Sequence, residues 1–123
     1  MSKNLVSEQS MNYDKLFVSS VFPVVTDSVK LKSGAAYSRG TVLGIITTGG
    51  LATKVDSSKS DGSQAPHAIL ADDTDATLGD TVATVYLTGE FNANALIFGG
   101  TDTVATHKKA LHSLGIFAKV VQD

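Results

Sequence analysis

The run Val82-Ala83-Thr84-Val85-Tyr86-Leu87-Thr88 ends on Gly89, and this junction constrains the fold more than any other feature of the chain. Alternation puts Val82, Thr84, Tyr86 and Thr88 on one face and Val85 and Leu87 on the other, the pattern of a β-strand with two unlike faces. The strand is expected to stop at the glycine. In Gly89-Glu90-Phe91-Asn92 an aromatic anchor and an asparagine then open a new apolar segment, Ala93 to Phe98. Phe91 is expected to fill a core gap, and Glu90 to turn the chain or to pair across an interface.

The residues before that junction read as further short strands. Leu16 to Val25 is apolar and β-branched, but Pro23 cannot donate to a ladder, so an edge strand or two short pieces are expected. Val29 and Leu31 alternate with Lys30 and Lys32, as in a half-buried strand. Arg39-Gly40 supplies a turn, because glycine takes positive φ without steric cost. Thr41 to Thr47 is a strand whose Gly44 marks a bulge or a close backbone approach. Gly49-Gly50 signals a hairpin that returns along Leu51 to Val55. Asp56 to Pro66 is a polar loop, Ala68 to Ala71 a short buried strand, and Asp72 to Thr81 a second polar connection.

The period changes after Asn92. Asn92 can cap a helical turn or two over Ala93 to Phe98, and Gly99-Gly100 breaks it. Asp102 or Thr103 can cap a helix running to about Leu114, with Val104, Leu111 and Leu114 inside. Gly115 suits the left-handed residue beyond its end, and Ile116 to Val121 closes as a strand. The fold class is therefore mixed α/β and β-rich: a small sheet or barrel-like body with one or two short helices. Residues 1–15 read as a flexible arm and 16–123 as a single domain. The arm is polar with scattered apolar residues, and no period survives a count. It is either a frayed terminus or a segment that orders on a partner.

The chain has 123 residues, enough for one modest core. Its charged fraction of 18% lies below the usual ~25%. Few surface charges suit a subunit whose surface is partly covered by neighbours, and they also suit an ordinary monomer. The formal charge of -2 comes with no basic stripe to neutralise phosphates, so direct nucleic-acid binding is disfavoured. No cysteine is present, which removes disulfides, thiolate metal sites and cysteine nucleophiles. No apolar run is long enough to span a membrane, and no secretory leader is expected, so synthesis in the cytoplasm of the producer is the expectation.

Candidate chemistry is thin. Asp72, Asp73, Asp75 and Asp80 form the densest acidic group, but Leu78 and Thr84 fall where a calcium loop needs glycine and a bidentate glutamate. His107 and His112 are five apart on the expected helix and diverge by roughly 140°, which does not suit ligands on one face. His67 has no nearby partner, and the three histidines read as surface or boundary residues. No Gly-x-Ser-x-Gly elbow exists. Gly99-Gly100-Thr101 lacks the lysine of a phosphate loop. Glu90 could act as a base, yet nothing near it in sequence completes a pair. No catalytic residue, metal ligand or cofactor is assigned.

Two blocks, Arg39-Gly40-Thr41-Val42-Leu43-Gly44 and Ala68-Ile69-Leu70 through Val82 to Asn92, resemble the head decoration proteins of tailed phages, the group that includes the decoration protein of phage lambda. The tail, Lys108-Lys109-Ala110-Leu111 to Gly115-Ile116, resembles that family's helix and last strand. The likeness runs over about residues 30 to 121 by order of elements. It implies a non-catalytic domain and a homotrimer on three-fold and quasi-three-fold positions of an expanded shell. It implies that the trimer clamps the major capsid protein against internal DNA pressure. The location implied is the outer surface of the virion. The arm's role, backbone pairing to capsid strands, would fall on Ser2 to about Phe17, with Leu5, Val6, Met11, Tyr13, Leu16 and Phe17 as its apolar contacts. Arg39, Gly40, Gly89, Glu90, Phe91 and Asn92 would form the structural motif. Two alternatives stand beside this one. One is a virion-surface β module binding a carbohydrate or receptor, disfavoured by the lack of tryptophan. The other is a small hydrolase using Glu90 or the Asp72–Asp80 group.

Overall fold

The computed structural model describes Leu16, Phe17 and residues 23–120. In chain order these hold β1 (Thr26–Leu31), β2 (Ala36–Tyr37), β3 (Val42–Ile45), β4 (Ala52–Lys54), β5 (Ala68–Leu70), β6 (Thr74–Asp75), β7 (Thr81–Tyr86) and β8 (Gly89–Asn92). A 3-10 turn (Ala93–Ala95), a helix α1 (Val104–Leu114) and β9 (Ile116–Lys119) follow. The described residues are thus β-rich with one α-helix.

Five strands close into a barrel in the order β1-β4-β3-β5-β7. The ladder between β1 and β7 runs from Thr26↔Tyr86 to Leu31↔Thr81. Closure rests on one parallel contact, Leu31↔Ala52, where the Lys32 N–H donates to the Ala52 carbonyl at 2.8 Å. A five-stranded barrel leaves little room inside, because diameter grows with strand number. The sequence meets that limit with small inward residues: Ala52, Ala68 and Ala83 pack with Leu31, Leu43, Leu70 and Val85.

A second core lies outside the barrel wall. Leu16, Val42, Val55, Ile69, Phe91, Leu96, Leu111 and Ile116 are buried together there. Successive residues of a strand point to opposite faces. Val42 and Ile69 therefore face the outer core, while Leu43 and Leu70 face the lumen. This is why Ala68-Ile69-Leu70 is apolar without alternation: both of its sides are covered.

Several expectations hold. The Gly49-Gly50 hairpin joins β3 to β4, both glycines having positive φ. At Gly44 the backbone approach is close, since a Cβ there would lie 2.6 Å from the Ser63 carbonyl oxygen. Asn92 Oδ1 accepts the Asn94 N–H and caps the 3-10 turn. Thr103 caps α1, and Gly115 ends it at φ 90°.

Others need correction. Gly89–Asn92 does not end the sheet structure; it is β8, paired in parallel with β9 from Gly89↔Ile116 to Asn92↔Lys119. A parallel partner so far along the chain leaves no local signal. The Asp72–Thr81 connection contains β6, which pairs with β2. Of the expected Leu16–Val25 strand, only Phe17 is bridged, to Phe91, and 23–25 is irregular; residues 18–22 lie outside the described set. Leu114 is exposed rather than inside, because the chain leaves the helix there, and His107 takes the buried position beside Leu111.

Candidate functional site

The two motifs read from the sequence meet at Leu16 and Phe17. Leu16 is 2% exposed, and its carbonyl accepts the Asn92 N–H at 2.6 Å. Phe17 pairs with Phe91 through a backbone bridge. Its ring lies 4.8 Å from that of Tyr86, edge-on, and 5.1 Å from that of Phe91. Phe91 is wholly buried, as expected for a gap-filling aromatic. The three rings form one cluster, and such pairs add about 0.5–1.5 kcal/mol beyond their buried area.

Glycines make the cluster possible. At Gly89 (φ 149°) a Cβ would stand 2.9 Å from the Phe91 ring. At Gly40 (φ 94°) it would stand 2.5 Å from the Ala95 carbonyl oxygen and 3.6 Å from Leu16 Cδ1. The Gly40 N–H donates to the Leu70 carbonyl, and its carbonyl accepts the Ile97 N–H, so the turn joins β5 to the segment after the 3-10 turn. Arg39 supports it from outside: its N–H donates to Asp73 Oδ1 at 2.6 Å and its Nε to the Ala71 carbonyl at 2.9 Å. Glu90 pairs with Lys119 at 3.0 Å, tying β8 to β9. This contact is made within the chain, which weakens the reading of Glu90 as a base.

Leu16 and Phe17 are also expected among the arm's capsid contacts. Among the described residues their side chains pack in the chain's own outer core. Leu5, Val6, Met11 and Tyr13 lie outside the described residues.

A second polar constellation was missed. Asp102 accepts from the Ser57 hydroxyl at 2.6 Å and from the Ser57 N–H at 2.7 Å, and contacts His107 Nε2 at 2.7 Å. His107 and Asp102 are both nearly buried, and the imidazole stacks on Phe98 at 5.6 Å. The Ser57 hydroxyl and then His107 hold the Asp102 carboxyl below its ordinary range. The carboxylate stands between serine and histidine, so the imidazole is not paired with the hydroxyl, and the arrangement works as a tie between the Asp56–Pro66 loop and α1. The sequence hint was the i, i+5 spacing of an N-terminal aspartate and a helical histidine.

The carboxylates of Asp73, Asp75 and Asp80 serve turns. Asp75 accepts from the Thr77 N–H and hydroxyl, which lower its pKa, and Asp80 accepts from the Ser33 N–H. Among the described residues no group of three or more histidines, aspartates or glutamates is placed to hold a metal ion. His112 lies edge-on to Phe117 at 4.5 Å. No helix of the described residues is long and apolar enough to cross a membrane.

No curated protein matches the chain. Residues 5–117 match the family described as Bacteriophage lambda head decoration protein D. That span takes in the Arg39-Gly40 turn, the Gly89–Asn92 strand, α1 and the start of β9, and it reaches back to Leu5. The chain therefore belongs to the bacteriophage lambda head decoration protein D family, a family of structural proteins of the phage capsid and not of enzymes.

Proposed function

We propose that this protein is a cementing subunit of the phage head. It binds the outside of the expanded shell as a trimer at three-fold and quasi-three-fold sites and stabilises the major capsid protein against internal DNA pressure. The observation that supports this reading is the family match over residues 5–117, a span that includes the positions of Leu5, Val6, Met11 and Tyr13. Segment 1–15 then adds backbone hydrogen bonds to capsid strands, a mode that needs little side-chain specificity. The domain supplies the anchor: Leu16 is buried and Phe17 is bridged to Phe91, so the segment leaves a fixed point.

Three arms on one trimer multiply weak contacts through effective concentration. Ordering each arm costs conformational entropy, which a single arm would offset poorly. The test is to mix the purified protein with expanded, undecorated heads and count bound copies. Saturation in groups of three per site is expected, with heads that withstand heating better. Heads that bind no protein, or bind it as single copies, contradict the reading.

A further inference from the structure

Between the barrel and the Asp56–Pro66 loop lies an open cavity of about 420 Å³. Lys32, Lys54 and Lys59 line it, together with the apolar side chains of Ile46 and Phe98. The ion pairs among the described residues, His107–Asp102 and Glu90–Lys119, use none of these lysines. Asp56 and Asp61 share the cavity, but each has one oxygen held by a neighbouring serine, Ser58 and Ser63. The cavity thus sets three lysines against two carboxylates, a net positive charge, with Lys59 shared between Asp56 and Asp61.

Opposite charge lies elsewhere on the same chain. The connection between β5 and β7 carries Asp72, Asp73, Asp75 and Asp80, none with a lysine or arginine partner in an ion pair among the described residues. At its tip Leu78 is fully exposed (101%), so the loop does not fold into its own chain's cavity. The Asp80–Ser33 and Gly34–Ala76 hydrogen bonds fix the loop against the β1–β2 turn and present that tip outward.

We propose that the occupant of the lysine cavity is the Asp72–Asp80 loop of a second copy of this chain. Leu78 enters toward Ile46 and Phe98, and the aspartates meet Lys32, Lys54 and Lys59. One patch receives and a different patch is received, so the contact is heterologous and generates a ring when the rotation closes. This deepens the trimer proposed above and rests on it. It places the loop and the cavity at the protomer–protomer contacts and leaves the N-terminal segment for the shell.

The test is sedimentation of the full chain over a concentration series at low and high salt, with head binding measured alongside. Lys32→Glu/Lys54→Glu/Lys59→Glu changes only exposed side chains, and Leu78→Asp changes one that touches nothing. Each is expected to weaken self-association by about tenfold or more with the isolated chain still folded by circular dichroism. High salt is expected to weaken the wild type, since screening shortens to ~3 Å at 1 M. Adding Asp72→Lys to the triple variant is expected to restore part of the association. If all variants associate like the wild type, the loop-in-cavity contact is overturned while the trimer stands. If association is untouched but head binding falls, the cavity faces the shell and the inference is equally overturned. A wild type that stays monomeric at all concentrations removes the trimer and this contact together.

Discussion

At the scale of single residues, the chain spends its unusual positions on packing around Leu16 and Phe17. Gly40 is the sharpest case: its φ of 94° and the 2.5 Å approach to the Ala95 carbonyl leave no place for a side chain. Gly40→Ala is therefore expected to lower stability by roughly 1–3 kcal/mol or more, measured by urea denaturation. Phe91→Ala, which empties the centre of the outer core, is expected to cost about 3–5 kcal/mol. Asp102 makes a pH prediction. Its carboxyl is held below the ordinary 3.8 in the folded chain. Its contribution to stability is thus complete above that value and is lost as pH falls through the lowered one. Asp56, Asp61 and Asp75 are lowered in the same direction by Ser58, Ser63 and Thr77. Melting temperature followed from about pH 6 to pH 2.5 should fall on the acid side, and less steeply in Asp102→Asn than in the wild type.

At the scale of elements, strands with one covered face were legible and strands with distant partners were not. Alternation marked β1 and β7, and glycine pairs marked the β3–β4 hairpin, because those signals are local. The helix with its threonine cap and Gly115 end was equally plain. β8 was read as a stop because Gly89 looks like a terminator, whereas its positive φ serves the approach of the Phe91 ring. Its partner β9 follows a helix and a loop, a pairing that sequence spacing does not announce. His107 was read as a surface or boundary residue although its partner Asp102 is five residues away at the helix entry; what the spacing does not announce is Ser57, whose hydroxyl reaches the same carboxylate from a distant loop. Gly44 offers a test at this scale. The Asp56–Pro66 loop is pinned to β3 where the Ser63 and Ala65 carbonyls crowd that glycine. Gly44→Ala should release the loop and quicken its proteolytic nicking, with the rest of the barrel still protected in hydrogen exchange.

At the scale of the whole molecule, the described residues fold into a barrel and an outer core, and Leu16, the first of them, lies in the outer core. The site residues named from sequence divide along that line: Arg39, Gly40 and Gly89 to Asn92 form the anchor, Leu16 and Phe17 join it, and Leu5, Val6, Met11 and Tyr13 belong to the segment beyond. Anchor and segment should then be separable. The deciding measurement is the number of copies bound to expanded, undecorated heads by the full chain and by a chain lacking residues 1–15, with circular dichroism and sedimentation run on both. The account predicts that the shortened chain folds and associates like the full one yet no longer binds heads. Full binding by the shortened chain would contradict it.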